Sequence, residues 1–165
     1  MGASIRFRKE AGKPPVFTFR RSDGSLTWGK LRNLPIEHDL AHYAVETTLG
    51  MRRGFYGLLN EGFAPDDFDR PRPQRPPALQ PANLPPDAQQ AEHLVGLLQT
   101  ERLFGPLPNL TDLLRLALDA NGHAYPDQLT EATLDEVRRR FHALLAQWQA
   151  LPEGAELTLP WTSYP

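Results

Sequence analysis

The chain has 165 residues, 40% hydrophobic and 23% charged, with a net charge of -2 and no long run of one sign. These values are those of an ordinary folded domain; they exclude wholesale disorder and lack the basic footprint of a general nucleic-acid binder. No cysteine is present, so disulfides, thiolate ligands and a thiol nucleophile are excluded, and any metal must rest on His, Asp or Glu.

The beginning, MGASIRFRKEAGKPP, has no apolar core of signal-peptide length, and nowhere do about 18 apolar residues run together, so a soluble cytoplasmic protein with no membrane partner is expected. Gly2 is not followed by Ser or Thr at position 6, and the myristoylation pattern fails.

Residues 4–8 and 16–20 alternate apolar and polar side chains, as strands with one buried face do. Asp23-Gly24 is a hairpin turn signal, and LTWGKL reads as the returning strand. Pro35 and Gly50 bracket a helix of about four turns. A short second helix with Phe55, Leu58 and Leu59 at helical spacing is expected to end near Gly62, weakened by Gly54 and Gly57.

Residues 64–86 hold eight of the 17 prolines and read as a linker or wrapping arm in polyproline II style, without a regular helix. It is either a plain tether or a segment lying across the first half and shielding its polar site; Phe68, Leu79 and Leu84 give it something to bury. Three helical patterns follow. The first, about 86–104, carries Ala91, Leu94, Val95, Leu97 and Leu98; the second, about 110–121, follows a cap at Asn109 or Thr111 and is stopped by Gly122. The third, about 131–150, places Leu134, Val137, Phe141, Leu144, Leu145 and Trp148 on one stripe. ELTLPW is a last strand that pairs most economically with the N-terminal sheet. The expected fold is a single α+β domain over 1–165, a small antiparallel sheet (N-terminal hairpin plus C-terminal strand) packed against about five helices.

The stretch NLPIEHDLAHYAVETTLG carries the chemistry. On an ideal helix, with His38 at 0°, His42 falls at about 40°, Glu46 at about 80° and Asp39 at about 100°. All four share one arc of a helix that is otherwise apolar, so burial forces them onto each other, a metal or a wet cleft. The HDxxH spacing lets His38 and His42 hold a divalent metal such as zinc. Glu46 is a further ligand candidate, but it lies about 12 Å from His38 along the axis, so His38, His42 and Glu46 cannot all serve one ion. A third ligand would come from Glu61, Asp66, Asp67, His93, His123 or His142. Asp39 and Glu46 are the candidate catalytic groups; Asp39, a methylene shorter than the glutamate of HExxH, puts zincin-type base catalysis in doubt. The purely structural alternative is that Asp39 and Glu46 each hydrogen-bond a histidine, or Arg52 or Arg53.

Elsewhere His93 reads as a rim residue, His123 as a helix-end residue, Arg138 to Arg140 as a solvated face, and Trp28, Trp148 and Trp161 as core. No phosphate loop or GxSxG elbow occurs. Residues 34–63, LPIEHDLAHYAVETTLGMRRGFYGLLNEGF, resemble a motif of small uncharacterised bacterial proteins, PHDLxHxxVE...GFxGLxxxG, and RSDGSLTWGKL and LPEGAELTLPW resemble their flanking segments. Here Ile36 and Glu37 are inserted between Pro35 and His38. The resemblance implies a recurring bacterial module and no particular reaction. Two functional readings follow: a His/Asp/Glu pocket that binds a divalent metal, or a non-enzymatic module that docks a protein partner through the proline-rich arm, the polar cluster being structural.

Overall fold

The computed structural model describes residues 2–31 and 35–162. Asn33 and Leu34, which open the polar stretch and the bacterial motif, lie outside the described residues. Strands β1 (Ala3–Arg8), β2 (Val16–Arg20), β3 (Leu26–Lys30) and β4 (Glu156–Trp161) form one antiparallel sheet in the order β3-β2-β1-β4. The predicted hairpin and the return of the C-terminal strand are both present, with Ala3 opposite Trp161 and Ile5 opposite Leu159. Pro160, which has no N–H to give a ladder, sits on an edge strand, where that loss is tolerated.

Strand alternation puts Ile5, Phe7, Phe17, Phe19, Leu159 and Trp161 on the inner face, all buried. The same alternation corrects the reading of Trp28 as core. Phe17 and Phe19 face Gly29 and Thr27 across the ladder, so Trp28, opposite Thr18, points outward and is 62% exposed. Trp148 and Trp161 are buried as expected.

Among the described residues there are six α-helices: α1 (Ile36–Thr48), α2 (Phe55–Asn60), α3 (Pro65–Asp69), α4 (Pro86–Phe104), α5 (Leu110–Ala120) and α6 (Glu131–Ala150). The fold is α+β. Helix α6 begins at a Thr130 cap whose Oγ1 accepts from the Thr133 amide at 3.2 Å, and its predicted stripe is buried throughout. Helix α1 packs against both α4 and α6, and its Leu40, Ala41, Ala44 and Val45 are completely buried. Gly50, at φ 64°, turns the chain out of α1 where a side chain would be strained. Of the three arginines expected on a solvated face, Arg139 and Arg140 pair with Glu136 of their own helix, but Arg138 crosses to Glu101 of α4. No helix among the described residues is long and apolar enough to cross a membrane.

The arm differs from a stretched polyproline segment. It makes the single helical turn α3 and two 3-10 turns, Arg72–Gln74 and Pro77–Leu79, separated by extended residues such as Arg70 and Arg75. Proline begins helical turns readily because the first N–H has no intrahelical partner, so a proline-rich run without long helices is still able to fold into short ones. Side-chain amides satisfy the carbonyls left over: Gln80 Nε2 donates to Arg72 O at 2.7 Å and Arg75 O at 2.9 Å, and Asn83 Nδ2 to Pro77 O at 2.8 Å. Leu79 is fully buried in a small second core with Leu58 and Ala88, against which Phe63, Phe68 and Leu84 also pack. The arm therefore lies on the surface of α2 and α4 and leaves a wall standing beside the polar face of α1.

Candidate metal centre

The polar arc of α1 turns inward as its helical geometry requires. Asp39, His42 and Glu46 are 6%, 2% and 1% exposed, and His38 stands at the border. Burial of such groups is tolerable only with partners, and the partners define the site.

His42 Nδ1 lies 2.8 Å from Glu46 Oε2 one turn further on. Glu46 is itself fixed: its other oxygen accepts from the Tyr56 amide at 3.1 Å, and its side chain lies against Gly54, where any Cβ would overlap it. Absence of a side chain at Gly54 is thus what makes room for the carboxylate. Tyr56 Oη donates to the backbone carbonyl of Asp39 at 2.6 Å, tying α2 to α1 beside the site.

With Nδ1 donating to Glu46, the ring presents Nε2 to Glu92 of α4, whose Oε1 is 3.0 Å away, while Glu92 Oε2 is 3.9 Å from His38 Nε2. The 3.0 Å approach is not aligned as a hydrogen bond, and the buried Nε2 of His42 has no hydrogen-bond partner, nor do His38 Nδ1 and Asp39 Oδ2. The rings of His38 and His42 meet edge to face with centroids 4.6 Å apart. Ligand atoms of His38, His42 and Glu92 all lie within 4.8 Å of one another, close enough to hold a metal ion, and this is the one such trio among the described residues.

Electrostatics follow from this geometry. Burial draws the His42 pKa down, but Glu46 and Glu92 on either side outweigh it and push it up to about 10. His38 is also raised: Asp39 and Glu92 overcome its desolvation. Desolvation raises the Glu92 carboxyl, but the two histidines facing it outweigh this and hold it well below the usual carboxylate range. Glu46 moves the other way, raised by burial against the pull of His42.

The trio opens onto a cavity of about 440 Å³ between the end of β3, helices α1 and α4, and the arm. Phe17, Phe55 and Phe68 supply apolar wall; Asp39 and Asp66 lie on the same lining. A pocket of this size, walled by aromatic rings on one part and by charged side chains such as Lys30, Asp69, Arg72 and Arg75 on the rest, suits a small ligand.

Of the residues expected at the site, His38, Asp39, His42 and Glu46 are brought together. Asp66 reaches the cavity lining but no common-ion distance with the histidines. Glu61 pairs with Arg53 at 2.9 Å, and Asp67 Oδ2 accepts from the Ala64 amide at 2.8 Å. His93 and His123 approach each other, rings 6.2 Å apart, and His142 lies beside Phe141 on the exposed side of α6. Arg53 serves Glu61 rather than the buried acids of α1. Glu92, the carboxylate that joins the two histidines, was not among the sequence candidates. Its one signal is position: it follows Ala88 by four residues and precedes Val95 by three, at the border of the buried stripe of α4.

Compared with protein-family models, with curated proteins and with solved structures, the chain finds no match.

Proposed function

We propose that the protein is a divalent-metal protein in which His38, His42 and Glu92 ligate one ion, and that Glu46 orients His42 from behind rather than ligating. The observation that carries this reading is the state of His42: a buried ring, one nitrogen locked by a carboxylate, the other aimed without a hydrogen bond at a site shared with Glu92 and His38. Metal-bound histidines commonly donate their second nitrogen to a carboxylate in this way, which fixes the tautomer and raises ligand basicity.

Two imidazoles and one carboxylate form an open ligand set, typical of zinc sites that keep a position for water or substrate and of iron(II) sites with a facial triad. Zinc fits first, because ligand distances of about 2.0–2.2 Å place its donors roughly 3.0–3.5 Å apart, and small rotations of exposed Glu92 and half-buried His38 bring the trio to that spacing. The open side would face the cavity. Asp39, buried and with a free Oδ2, is the group nearest in sequence to act on a molecule bound there.

The test is metal analysis of protein purified without a histidine tag, together with thermal shift on adding zinc, manganese or iron(II) to chelator-treated protein. About one equivalent of metal per chain, lost in both His42→Ala and Glu92→Ala, is the expected result. A chain that carries no metal and shows no shift with any of the three ions overturns the reading.

A further inference from the structure

The outer face of the sheet serves neither the core nor the candidate metal centre. The register lines up Trp28, Thr18, Arg6 and Thr158 across the four strands, with Arg20 and Lys30 in the rows on either side. None of the outward strand residues is buried, and Leu26 and Trp28 are 61% and 62% exposed. The chain as a whole has a net charge of -2, yet this face carries four cations, Arg6, Arg8, Arg20 and Lys30, against one acid, Glu156. Glu156 lies 3.6 Å from Arg6 and 3.7 Å from Arg8, and Glu10 lies 3.3 Å from Arg8. These are exposed pairs, worth little and easily opened to another anion. The side chains of Arg20 and Lys30 make no hydrogen bond or ion pair among the described residues, and Lys30, at the strand end, also borders the cavity. Both flank Trp28: Arg20 is diagonal to it across the ladder and Lys30 is two residues along the strand, each about 7 Å away at the backbone.

We infer that the outer sheet face binds single-stranded nucleic acid, one base stacked on the Trp28 indole and the neighbouring phosphates held by Arg20, Lys30 and Arg6. An open indole among cations calls for a partner that is planar and anionic at once, and a strand with unpaired bases supplies both. A duplex hides its base faces, and its grooves admit a helix or a ribbon rather than the flat side of a sheet. An acidic peptide would answer the cations but bring no plane to the indole. Stacking tolerates any base, so the face should select for single strands and not for a sequence. The overall charge conceals this surface because strand alternation gathers onto one side cations that are scattered along the chain. No ligand of the trio stands on this face, so the inference is independent of the metal-centre reading.

The experiment follows the fluorescence anisotropy of a labelled oligothymidylate, roughly ten nucleotides long to match the site size of such binders, as the chelator-treated protein is added. Saturable binding is expected at about 50 mM salt, weaker at about 200 mM and the same after loading with zinc. Trp28→Ala should weaken it about tenfold, the loss of one stacked base, while Trp28→Phe keeps a ring and recovers most of the affinity. Arg20→Gln should lower the slope of log affinity against log salt by about 0.7, the loss of one phosphate contact on a single strand. Both positions are exposed, so melting temperatures should stay at the wild-type value. No binding at the lower salt, or a Trp28→Ala variant that binds as the wild type does, overturns the inference. So does tighter binding of a duplex of the same length, of polyglutamate or of phosphatidylserine vesicles. If zinc fails to bind yet the oligothymidylate does, the metal-centre reading alone falls.

Discussion

His42 presents its two ring nitrogens to carboxylates from two different helices: Nδ1 is 2.8 Å from Glu46 Oε2, entirely buried, and Nε2 is 3.0 Å from Glu92 Oε1, which reaches solvent. One acid is part of the frame and the other is free to move, so the two should respond differently to substitution.

Glu46→Gln keeps an acceptor for the Tyr56 amide but removes the charge behind the imidazole. Loss of such an outer partner typically weakens a metal by roughly 10–100-fold. Competition with a zinc-binding dye should show a dissociation constant raised within that range, and an unchanged constant would mean that Glu46 does not orient the ligand.

Glu92→Ala and His42→Ala should separate binding from folding. Both are expected to abolish zinc binding, but the first removes a more than half-exposed ion-pair partner of His42 and should cost only about 0.2–1 kcal/mol. The second leaves Glu46 buried without its partner, a change that costs about 3–5 kcal/mol. Urea unfolding of chelator-treated protein measures both; similar midpoints for the two variants would contradict the buried pair.

Gly54→Ala should act on the site from a distance of one helix. The added methyl overlaps the Glu46 carboxylate, which is packed on every side and has nowhere to go. Overpacking of this kind costs about 1–3 kcal/mol. Zinc affinity is expected to fall with stability, since moving Glu46 frees the His42 ring; a variant of full stability and full affinity would refute the contact.

Leu79→Ala tests whether the arm is wall or tether. Leu79 is fully buried with Leu58 and Ala88, and truncation at such a site costs about 2–5 kcal/mol. A mere tether would lose almost nothing in thermal denaturation.

The pH dependence of chelator-treated protein follows from the histidine. Folding raises the His42 pKa from 6.5 to about 10, so its contribution to stability is complete below 6.5 and drains away as pH rises through 10. Glu92 is lowered from 4.5, so its contribution is present above 4.5 and lost as pH falls. Melting temperature should therefore be highest between these limits. Zinc replaces the His42 proton, so its binding should release protons and strengthen with rising pH. Melts from acid to alkaline pH, with and without zinc, check both signs; an alkaline limb unchanged by zinc would mean the ion is not on His42.

Much of the architecture is readable in the chain because it is written in periodicity. The α6 stripe from Leu134 to Trp148 and the alternation of Ile5, Phe7, Phe17 and Phe19 each follow one local rule, and the folded structure keeps them. Trp28 misleads because a large aromatic on an alternating strand is read as buried, whereas the face is decided by its neighbours across the ladder, Thr18 outward and Gly29 with Thr27 inward. The polar arc of α1 is legible for the same local reason as α6. Glu92 is not: it comes from α4, and only the packing of α1 on α4 brings it to His42. The short turns of the arm are hidden too, because they depend on amides such as Gln80 bonding to carbonyls five and eight residues back.

The arm lies in the chain between the two histidines and Glu92, and this has a topological result. An ion held by all three would close the segment from His42 to Glu92 into a covalent-and-coordinate ring containing every proline of that segment. Such a clasp lowers the freedom of the opened chain, as a crosslink does, and unfolding must either thread around it or surrender the ion. The durability of the molecule would then be set by how much free metal surrounds it.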